Sequence, residues 1–203
     1  VIALHPMYLN IEKLGNFNNE EDKAEYEKLK NELNANESVD YVRMMKVKSQ
    51  YYKYFFDLNK SKFLKTQKFR RFFEANKDWL VPYAVFSCLR DRYHTADFRL
   101  WESHSEYSRK AVYAFADPLA QDYDDVAVHY YIQYHLHEQL KEAVEYAHSK
   151  GVALKGDIPI GISRNSVDAW TDPKLFNLNG QAGAPPDDFA VAGQNWGFPT
   201  YKW

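Results

Sequence analysis

Apolar residues recur at helical spacing over most of the first 150 positions. Repeats at i, i+3, i+4 and i+7 predict amphipathic helices rather than strands. The predicted helices cover residues 18–33, a range from 38 or 40 to 59, and residues 62–75, 78–93 and 122–150, with a short helix before the last. Pro82 would be tolerated because it falls in a first turn, where backbone N–H groups have no helical partner. Gly151 is expected to end the longest helix as its C-terminal cap.

The pattern changes after Gly151. Residues 152–161 are a short apolar run directly after a long helix, and they predict a strand, as in a βα unit of a barrel. The first six residues also predict a strand or a strand end. Residues 94–108 are expected to form a loop with aromatic plugs. Residues 180–199, rich in Gly, Ala, Pro and Asp, predict a long loop of little regular structure, and such loops are usually functional.

Composition limits the classes of function. The 203 residues, 45% of them hydrophobic, suffice for one ordinary domain with a substantial core. With 26 Lys and Arg against 28 Asp and Glu, no charge excess favours nucleic acid or an anionic membrane as partner. No membrane-spanning run and no signal peptide are visible, so a cytoplasmic location is expected. The single Cys88 is expected in the core, since it cannot form an internal disulfide.

The aromatic content is high, with 16 Tyr, 13 Phe and 5 Trp making 17% of the chain. Sugar-binding sites stack rings on such side chains, but large helical cores use them too. Composition alone leaves both interpretations open.

A group of histidines invites a metal-site hypothesis, which their spacing opposes. His135 and His137 are two residues apart on a predicted helix and would point roughly 200° apart. Zinc needs convergent ligands. No metal site is therefore expected, and His129, Gln133 and His137 are interpreted as a polar stripe on one helix face, buried in a domain interface.

Acidic residues near the end of the chain are candidate catalytic groups. Asp187 and Asp188 are adjacent, whereas a glycosidase needs carboxyls about 5 Å or more apart on opposite sides of the sugar, so both are interpreted as turn residues. Asp157 ends the predicted strand, where polar residues of a barrel face the active site. A functional role and a turn-capping role stay equally open for Asp157. Phosphate-loop and Gly-x-Ser-x-Gly motifs are absent from the sequence.

Two ordered motifs then resemble glycoside hydrolase family 77. They are Lys155-Gly156-Asp157-Ile158-Pro159-Ile160-Gly161 with Arg164-Asn165-Ser166-Val167-Asp168-Ala169-Trp170, and Ala184-Pro185-Pro186-Asp187-Asp188-Phe189 with Gly193-Gln194-Asn195-Trp196-Gly197-Phe198-Pro199-Thr200-Tyr201. Other members tend to carry two acids before the Ser. The sequence Arg164-Asn165-Ser166 found here is similar to that of the plant-type cytosolic disproportionating enzymes. Weaker similarity extends over nearly the whole chain.

The resemblance implies an α/β fold in which this chain is a mostly α-helical slice of a (β/α)₈ barrel. Residues 1–15 would be a barrel strand end and loop, 16–120 a largely helical inserted subdomain, and 121–203 a barrel helix, a strand and an active-site lid loop. Both chain ends are expected to continue into a longer parent protein, which is then a partner of this segment.

The family implies a 4-α-glucanotransferase that moves α-1,4-glucosyl units with retention through a covalent glycosyl-enzyme. Its partners would be maltose, malto-oligosaccharides and glycogen-like acceptors, with no metal or organic cofactor. The nucleophilic Asp, the acid/base Glu and a third essential Asp would all follow Trp203. No catalytic residue is therefore expected in this segment, which alone should be inert.

The family motifs imply positioning roles for six residues. Asp157 would support the donor site, with Ser166 and Asp168 in the same motif, although Asp168 is equally compatible with a structural role. On the lid beside the acceptor, an aromatic wall and a carboxylate would hold a sugar and exclude water. These lid residues are Asp187, Phe189 and Trp196.

Two positions depart from the family pattern. Asp188 stands where Tyr is usual, which puts one aromatic sugar contact in doubt, and Asn165 replaces an acid, as in the plant-type branch. With no catalytic carboxylates in the segment, a non-catalytic carbohydrate-binding or interaction module is the alternative. A helical domain without a ligand is a third possibility.

Overall fold

A computed structural model of the protein describes residues 2–157 and 159–202. The α-helices of this part of the chain are α1 Glu20–Asn34, α2 Tyr41–Phe63, α3 Gln67–Tyr93, α4 Arg109–Phe115, α5 Tyr123–Ser149 and α6 Val167–Thr171. Its strands are β1 Phe176–Asn177, β2 Gly183–Ala184, β3 Gln194–Asn195 and β4 Thr200–Tyr201. Short 3-10 turns lie at Pro6–Tyr8, Ile11–Lys13, Phe98–Leu100 and Pro173–Leu175.

The chain divides into two compact units. The first unit contains Ile2–Lys77 and Ala127–Leu154, and the second contains Asp78–Val126 and Lys155–Trp203. Helices α3 and α5 each contribute residues to both units.

Local capping explains where several helices begin and end. Asn19 and Asp40 precede α1 and α2, and their side chains accept hydrogen bonds from backbone N–H groups of the first turn, at 2.8 and 2.9 Å. Gly151 follows α5 with a φ of +72°, a left-handed conformation that glycine adopts without a Cβ penalty. The predicted C-terminal cap at Gly151 is confirmed.

The core of the first unit is built largely from aromatic rings. On α2, Phe55 is fully buried, with the rings of Phe17 and Tyr54 centred 5.0 and 5.2 Å away. Tyr131 of α5 packs edge-on against Phe63 at 4.9 Å. Edge-to-face packing of this kind suits the quadrupoles of aromatic rings. Much of the aromatic content therefore serves the core.

The polar stripe predicted to be buried on the longest helix is buried at His129 and Gln133 but exposed at His137. The Gln133 amide holds the start of the chain. Gln133 is 1% exposed; its Nε2 donates to the Leu4 carbonyl at 2.8 Å, and its Oε1 accepts from the Leu4 N–H at 2.9 Å. These bonds satisfy an amide that would be costly to bury unpaired.

The described residues among the first six, where a strand or a strand end was predicted, form no strand. A 3-10 turn over Pro6–Tyr8 stands there, preceded by residues without strand structure, while Val1 lies outside the described residues. Side chains from α2 satisfy the carbonyls of the turn: Tyr52 donates to the Pro6 carbonyl at 2.6 Å, and Lys48 donates to the Leu9 carbonyl at 2.9 Å. These side-chain donors replace the hydrogen bonds that a neighbouring strand would provide.

His135 of α5 lies among aromatic rings in the first unit. The Phe63 ring stacks on it at 5.8 Å, and the Tyr131 ring meets it edge-on at 4.3 Å. Burial lowers the pKa of His135 from 6.5 to about 4, because the imidazolium form loses hydration there.

His135 is expected to make stability fall in mild acid. Above pH 6.5 both the folded and the unfolded form hold it neutral, whereas between 6.5 and about 4 the unfolded form binds a proton that the folded form does not. The free energy of unfolding should therefore drop by up to about 2–3 kcal/mol across this window. In urea titrations of the isolated chain over a pH series, this drop in the free energy of unfolding should be absent from H135F. The control H148Q, at an exposed residue, should show the same drop as wild type. An equal pH dependence for H135F and wild type would contradict the assignment to His135.

The two helices predicted at 62–75 and 78–93 are one helix, α3, so Pro82 lies in a helix interior rather than in a first turn. A proline there costs about 3 kcal/mol through the lost hydrogen bond and steric clash. Burial on both sides of it opposes that cost, since Leu80, Val81 and Ala84 are at most 2% exposed. Cys88, further along the same helix, is buried as predicted, and burial raises the pKa of its thiol to about 12.

The strand predicted at residues 152–161 is absent from the described part of that range, and Ile158 lies outside it. Residues 152–157 and 159–161 have no ladder partner among the described residues. A parallel strand depends on neighbours for its backbone hydrogen bonds, so β propensity alone does not form one. Asp157 consequently lies in a segment without strand structure.

Candidate functional site

Helix α6 carries the first of the two sequence motifs. Ser166 is its N-cap, and the Ser166 hydroxyl accepts a hydrogen bond from the Ala169 N–H at 3.3 Å. Trp170, at the other end of this short helix, is 1% exposed and donates from its indole N–H to the His104 carbonyl at 2.8 Å. The helix is thus fixed at both ends.

Trp170 lies within an aromatic cluster of the second unit. The ring centroids of Phe86, Trp101 and Tyr107 lie 5.7, 5.9 and 5.1 Å from it. Trp101 and Tyr107 come from the segment between α3 and α4, which is a loop with aromatic plugs, as predicted. His104 in this loop adopts a left-handed φ of 62°, and burial together with the charge of Arg92 lowers its pKa.

The structure gives Ser166 and Asp168 different positions. The Ser166 hydroxyl is used as a helix cap, which is a structural role. Asp168 lies in the first turn of α6 with an exposed side chain, where a carboxylate also complements the helix dipole. Asp157, also exposed, precedes α6 in the segment without strand structure.

The second motif forms a β-hairpin with a stem of two short antiparallel pairs. Gly183 pairs with Asn195 and Ala184 with Gln194, while nearer the base Phe176 pairs with Tyr201 and Asn177 with Thr200. Gly183 has no space for a side chain, because an added Cβ would lie 2.1 Å from the Gln194 carbonyl oxygen. The predicted loop at residues 180–199 therefore contains more order than its composition indicated.

The hairpin tip is shaped by Asp187. Its Oδ1 accepts hydrogen bonds from the backbone N–H groups of Phe189 and Ala190, at 2.9 and 2.6 Å. This arrangement agrees with the turn role interpreted from the sequence. Phe189, held by that turn, is 99% exposed.

Trp196 lies just after β3 with 45% of its surface exposed. Its ring stacks on Phe198, with centroids 5.9 Å apart and planes 30° from parallel, and its indole N–H donates to the Gln194 side chain at 2.9 Å. The hairpin therefore presents two aromatic faces: Phe189 at the tip and Trp196 on the stem.

Two residues outside the predicted site connect the segment before α6 to the hairpin. Arg164 donates through Nη2 to the Gly180 carbonyl at 2.8 Å. The Gly161 backbone lies against the Phe198 ring, since an added Cβ would be 2.2 Å from its Cδ2. No role was predicted for Gly161 or Arg164. The sequence Arg164-Asn165-Ser166 was the available signal for Arg164.

No three His, Cys, Asp or Glu side chains are placed to hold one metal ion within residues 2–157 and 159–202. Over the same residues, no helix is long and apolar enough to cross a bilayer.

The sequence profile of glycoside hydrolase family 77, described as 4-alpha-glucanotransferase, matches residues 1–203. The chain belongs to glycoside hydrolase family 77. It is 43% identical over 203 residues to "4-alpha-glucanotransferase DPE2" of Oryza sativa subsp. japonica, covering 100% of this chain and 21% of that protein. It is 33% identical over 208 residues to a 4-alpha-glucanotransferase of Chlamydia muridarum, covering 99% of this chain and 38% of that protein. This family 77 chain thus spans well under half the length of these relatives.

Two solved structures have a fold similar to that of this chain. An amylomaltase from Streptococcus agalactiae in complex with acarbose superposes with a TM-score of 0.75 at 23% identity, over 99% of this chain and 41% of that one. The amylomaltase from Corynebacterium glutamicum gives a TM-score of 0.68 at 18% identity, over 98% of this chain and 27% of that one. The mostly helical chain therefore has the fold of a segment of amylomaltase.

Proposed function

We propose that this chain is a segment of a 4-α-glucanotransferase that transfers α-1,4-glucosyl units between maltose or malto-oligosaccharides and glucan acceptors. The observation that carries the proposal is the family match over all 203 residues, supported by 43% identity to a relative named as this enzyme. The presence of acarbose in the similar amylomaltase supports α-glucans as the partners. On the resemblance to the plant-type cytosolic branch, we place the protein in the cytoplasm.

In this proposal the chain is a partial (β/α)₈ barrel. Residues 1–15 supply a strand end and loop, residues 16–120 a helical inserted subdomain, and residues 121–203 a barrel helix, a strand and the lid. Residues 152–161, predicted to be a strand, would form one when neighbouring barrel strands of the parent protein supply its ladder. The similarity to amylomaltases over nearly the whole chain supports this arrangement.

The proposed reaction is a retaining double displacement. A carboxylate attacks the anomeric carbon, the donor's leaving glucan takes a proton from the acid/base group, and an acceptor hydroxyl then attacks the glycosyl-enzyme. The two carboxyl groups follow Trp203 in the family pattern, so this segment positions substrate. Asp157 is assigned to the donor site with Ser166 and Asp168; since the Ser166 hydroxyl caps α6, its contribution is to orient the motif.

The hairpin is assigned to the acceptor site. Phe189 and Trp196 expose aromatic faces on which a sugar ring can stack, and Asp187 shapes the tip between them. Covering the glycosyl-enzyme with such a lid favours a sugar hydroxyl over water as the attacking group.

A disproportionation assay tests the proposal. The full-length protein, incubated with maltose and glycogen, should release glucose, whereas the 203-residue chain should release none because it lacks the nucleophile and the acid/base group. Full-length protein that releases no glucose would contradict the proposal. It would favour the non-catalytic carbohydrate-binding or interaction module, which maltotriose binding measured by calorimetry would then detect. Glucose release by the isolated segment would contradict the placement of the catalytic groups.

A further inference from the structure

The hairpin stem is held between its two sets of strand pairs by two contacts with one short stretch of chain. Arg164 donates to the Gly180 carbonyl, and the Gly161 backbone lies against the Phe198 ring. Gly180 and Phe198 stand on opposite sides of the stem, one before β2 and the other after β3. We call these two contacts the clamp. Because both originate within residues 161–164, the clamp fixes the stem from two sides.

Both clamp contacts meet parts of the stem that are already ordered. The Gly180 N–H donates to the Asn177 carbonyl at 3.0 Å, and the Phe198 carbonyl accepts from the Ala182 N–H at 2.8 Å. A displacement at these contacts would therefore be passed along the paired strands β2 and β3 toward the tip, where Phe189 is 99% exposed. Within the second unit, the clamp connects the α6 motif to the hairpin.

Arg164 suits this position for chemical reasons. Its guanidinium is permanently charged and donates in fixed directions, so its bond to a partly buried carbonyl is stronger than a neutral one. An acidic side chain at this position could not donate to a carbonyl when ionised. This hydrogen bond therefore depends on a side-chain donor at position 164.

We propose that Arg164 is a positioning residue that, together with the Gly161–Phe198 contact, fixes the acceptor-side hairpin and so sets the ratio of transfer to hydrolysis. The inference rests on the proposed function. In both outcomes the bond between the anomeric carbon and the enzyme carboxylate breaks and a bond to an acceptor oxygen forms, while the acceptor's hydroxyl proton passes to the acid/base group. Transfer and hydrolysis differ only in whether that oxygen belongs to a sugar or to water. A displaced hairpin would admit water and weaken acceptor binding, without changing cleavage of the donor.

Three replacements at Arg164 in the full-length protein separate the hydrogen bond from the charge. R164M keeps an aliphatic side chain without a donor, R164Q keeps a neutral donor, and R164K keeps a charged one. R71M, which removes an exposed cation from α3 in the first unit, is the matched control.

With maltotriose as donor and glucose as acceptor, R164M should raise the hydrolysis-to-transfer ratio by about tenfold or more, the change expected for loss of one charge-assisted hydrogen bond. The KM for the acceptor should rise while kcat for donor cleavage stays unchanged. R164Q and R164K should recover at least half of the difference in this ratio between R164M and wild type. R71M should have the wild-type ratio. An unchanged ratio in R164M, or no recovery in R164Q and R164K, would overturn the inference.

A second measurement needs no activity. Chymotrypsin cleaves after Phe, and the exposed Phe189 at the tip is a suitable site, so the rate of cleavage there, followed by mass spectrometry on the full-length protein, reports how firmly the stem is held. Both R164M and G161A should accelerate this cleavage several-fold relative to R71M. Unchanged cleavage in both would overturn the clamp, even if the ratio shifts. Wild-type protein without transfer activity would instead overturn the proposed function, and the cleavage rates would still decide whether the clamp exists.

Discussion

Replacing Trp170 with alanine is expected to lower the free energy of unfolding by about 3–5 kcal/mol, the range found for large aromatic residues in cores. Trp170 is 1% exposed, packs among the rings of Phe86, Trp101 and Tyr107, and donates its indole N–H to the His104 carbonyl. The alanine variant removes both the packing and the hydrogen bond. Urea unfolding of the isolated chain, followed by far-UV circular dichroism, measures the loss.

A matched tryptophan supplies the control for this experiment. Trp196 is 45% exposed on the hairpin, so W196A should change the free energy of unfolding by no more than about 1 kcal/mol. W170F, which keeps a ring but loses the indole donor, should fall between the two. Equal effects of W170A and W196A would show that the aromatic cluster does not support the fold as described.

Phe55→Ala is expected to cost about 3–5 kcal/mol in the first unit, because the side chain is fully buried and the cavity it leaves can relax only in part. The rings of Phe17 and Tyr54 approach it at 5.0 and 5.2 Å, and both would lose contact area. Equilibrium urea unfolding of the variant and wild type gives the difference in free energy.

The control for Phe55 lies one turn further along α2. Leu58 is 45% exposed, so L58A should shift the free energy of unfolding by about 0.5 kcal/mol or less. This comparison holds the helix constant and varies only burial. If L58A destabilised the chain as strongly as F55A, the assigned inward face of α2 would be wrong.

Helices were the part of the fold most accessible from sequence. Predicted ranges 18–33, 38 or 40 to 59, and 122–150 compare with α1 at Glu20–Asn34, α2 at Tyr41–Phe63 and α5 at Tyr123–Ser149. Their hydrogen bonds join residues four apart, so local periodicity and caps suffice to find them. Helix α3 was predicted as two helices. Pro82 lies in its interior, where burial of the neighbouring residues opposes the helix-breaking effect of proline.

The candidate site was only partly accessible from sequence. Motifs identified the stretches containing Asp157, Ser166 and Asp187, and their sugar-binding roles stay predictions. The sequence did not reveal that the Ser166 hydroxyl caps a helix or that Arg164 reaches Gly180, sixteen residues away. Such contacts depend on how distant segments are placed, which no short window of sequence contains.

The sequence by itself determined the helical character of most of the chain, the cap at Gly151 and the family, because each is recorded in residues close together along the chain. Only the tertiary structure decided which aromatic residues form the core, that residues 152–157 carry no strand, and how the hairpin stem is held. Ladders, ring packing and side-chain bonds to distant carbonyls join residues far apart in sequence. They exist only once those residues have been brought together by folding.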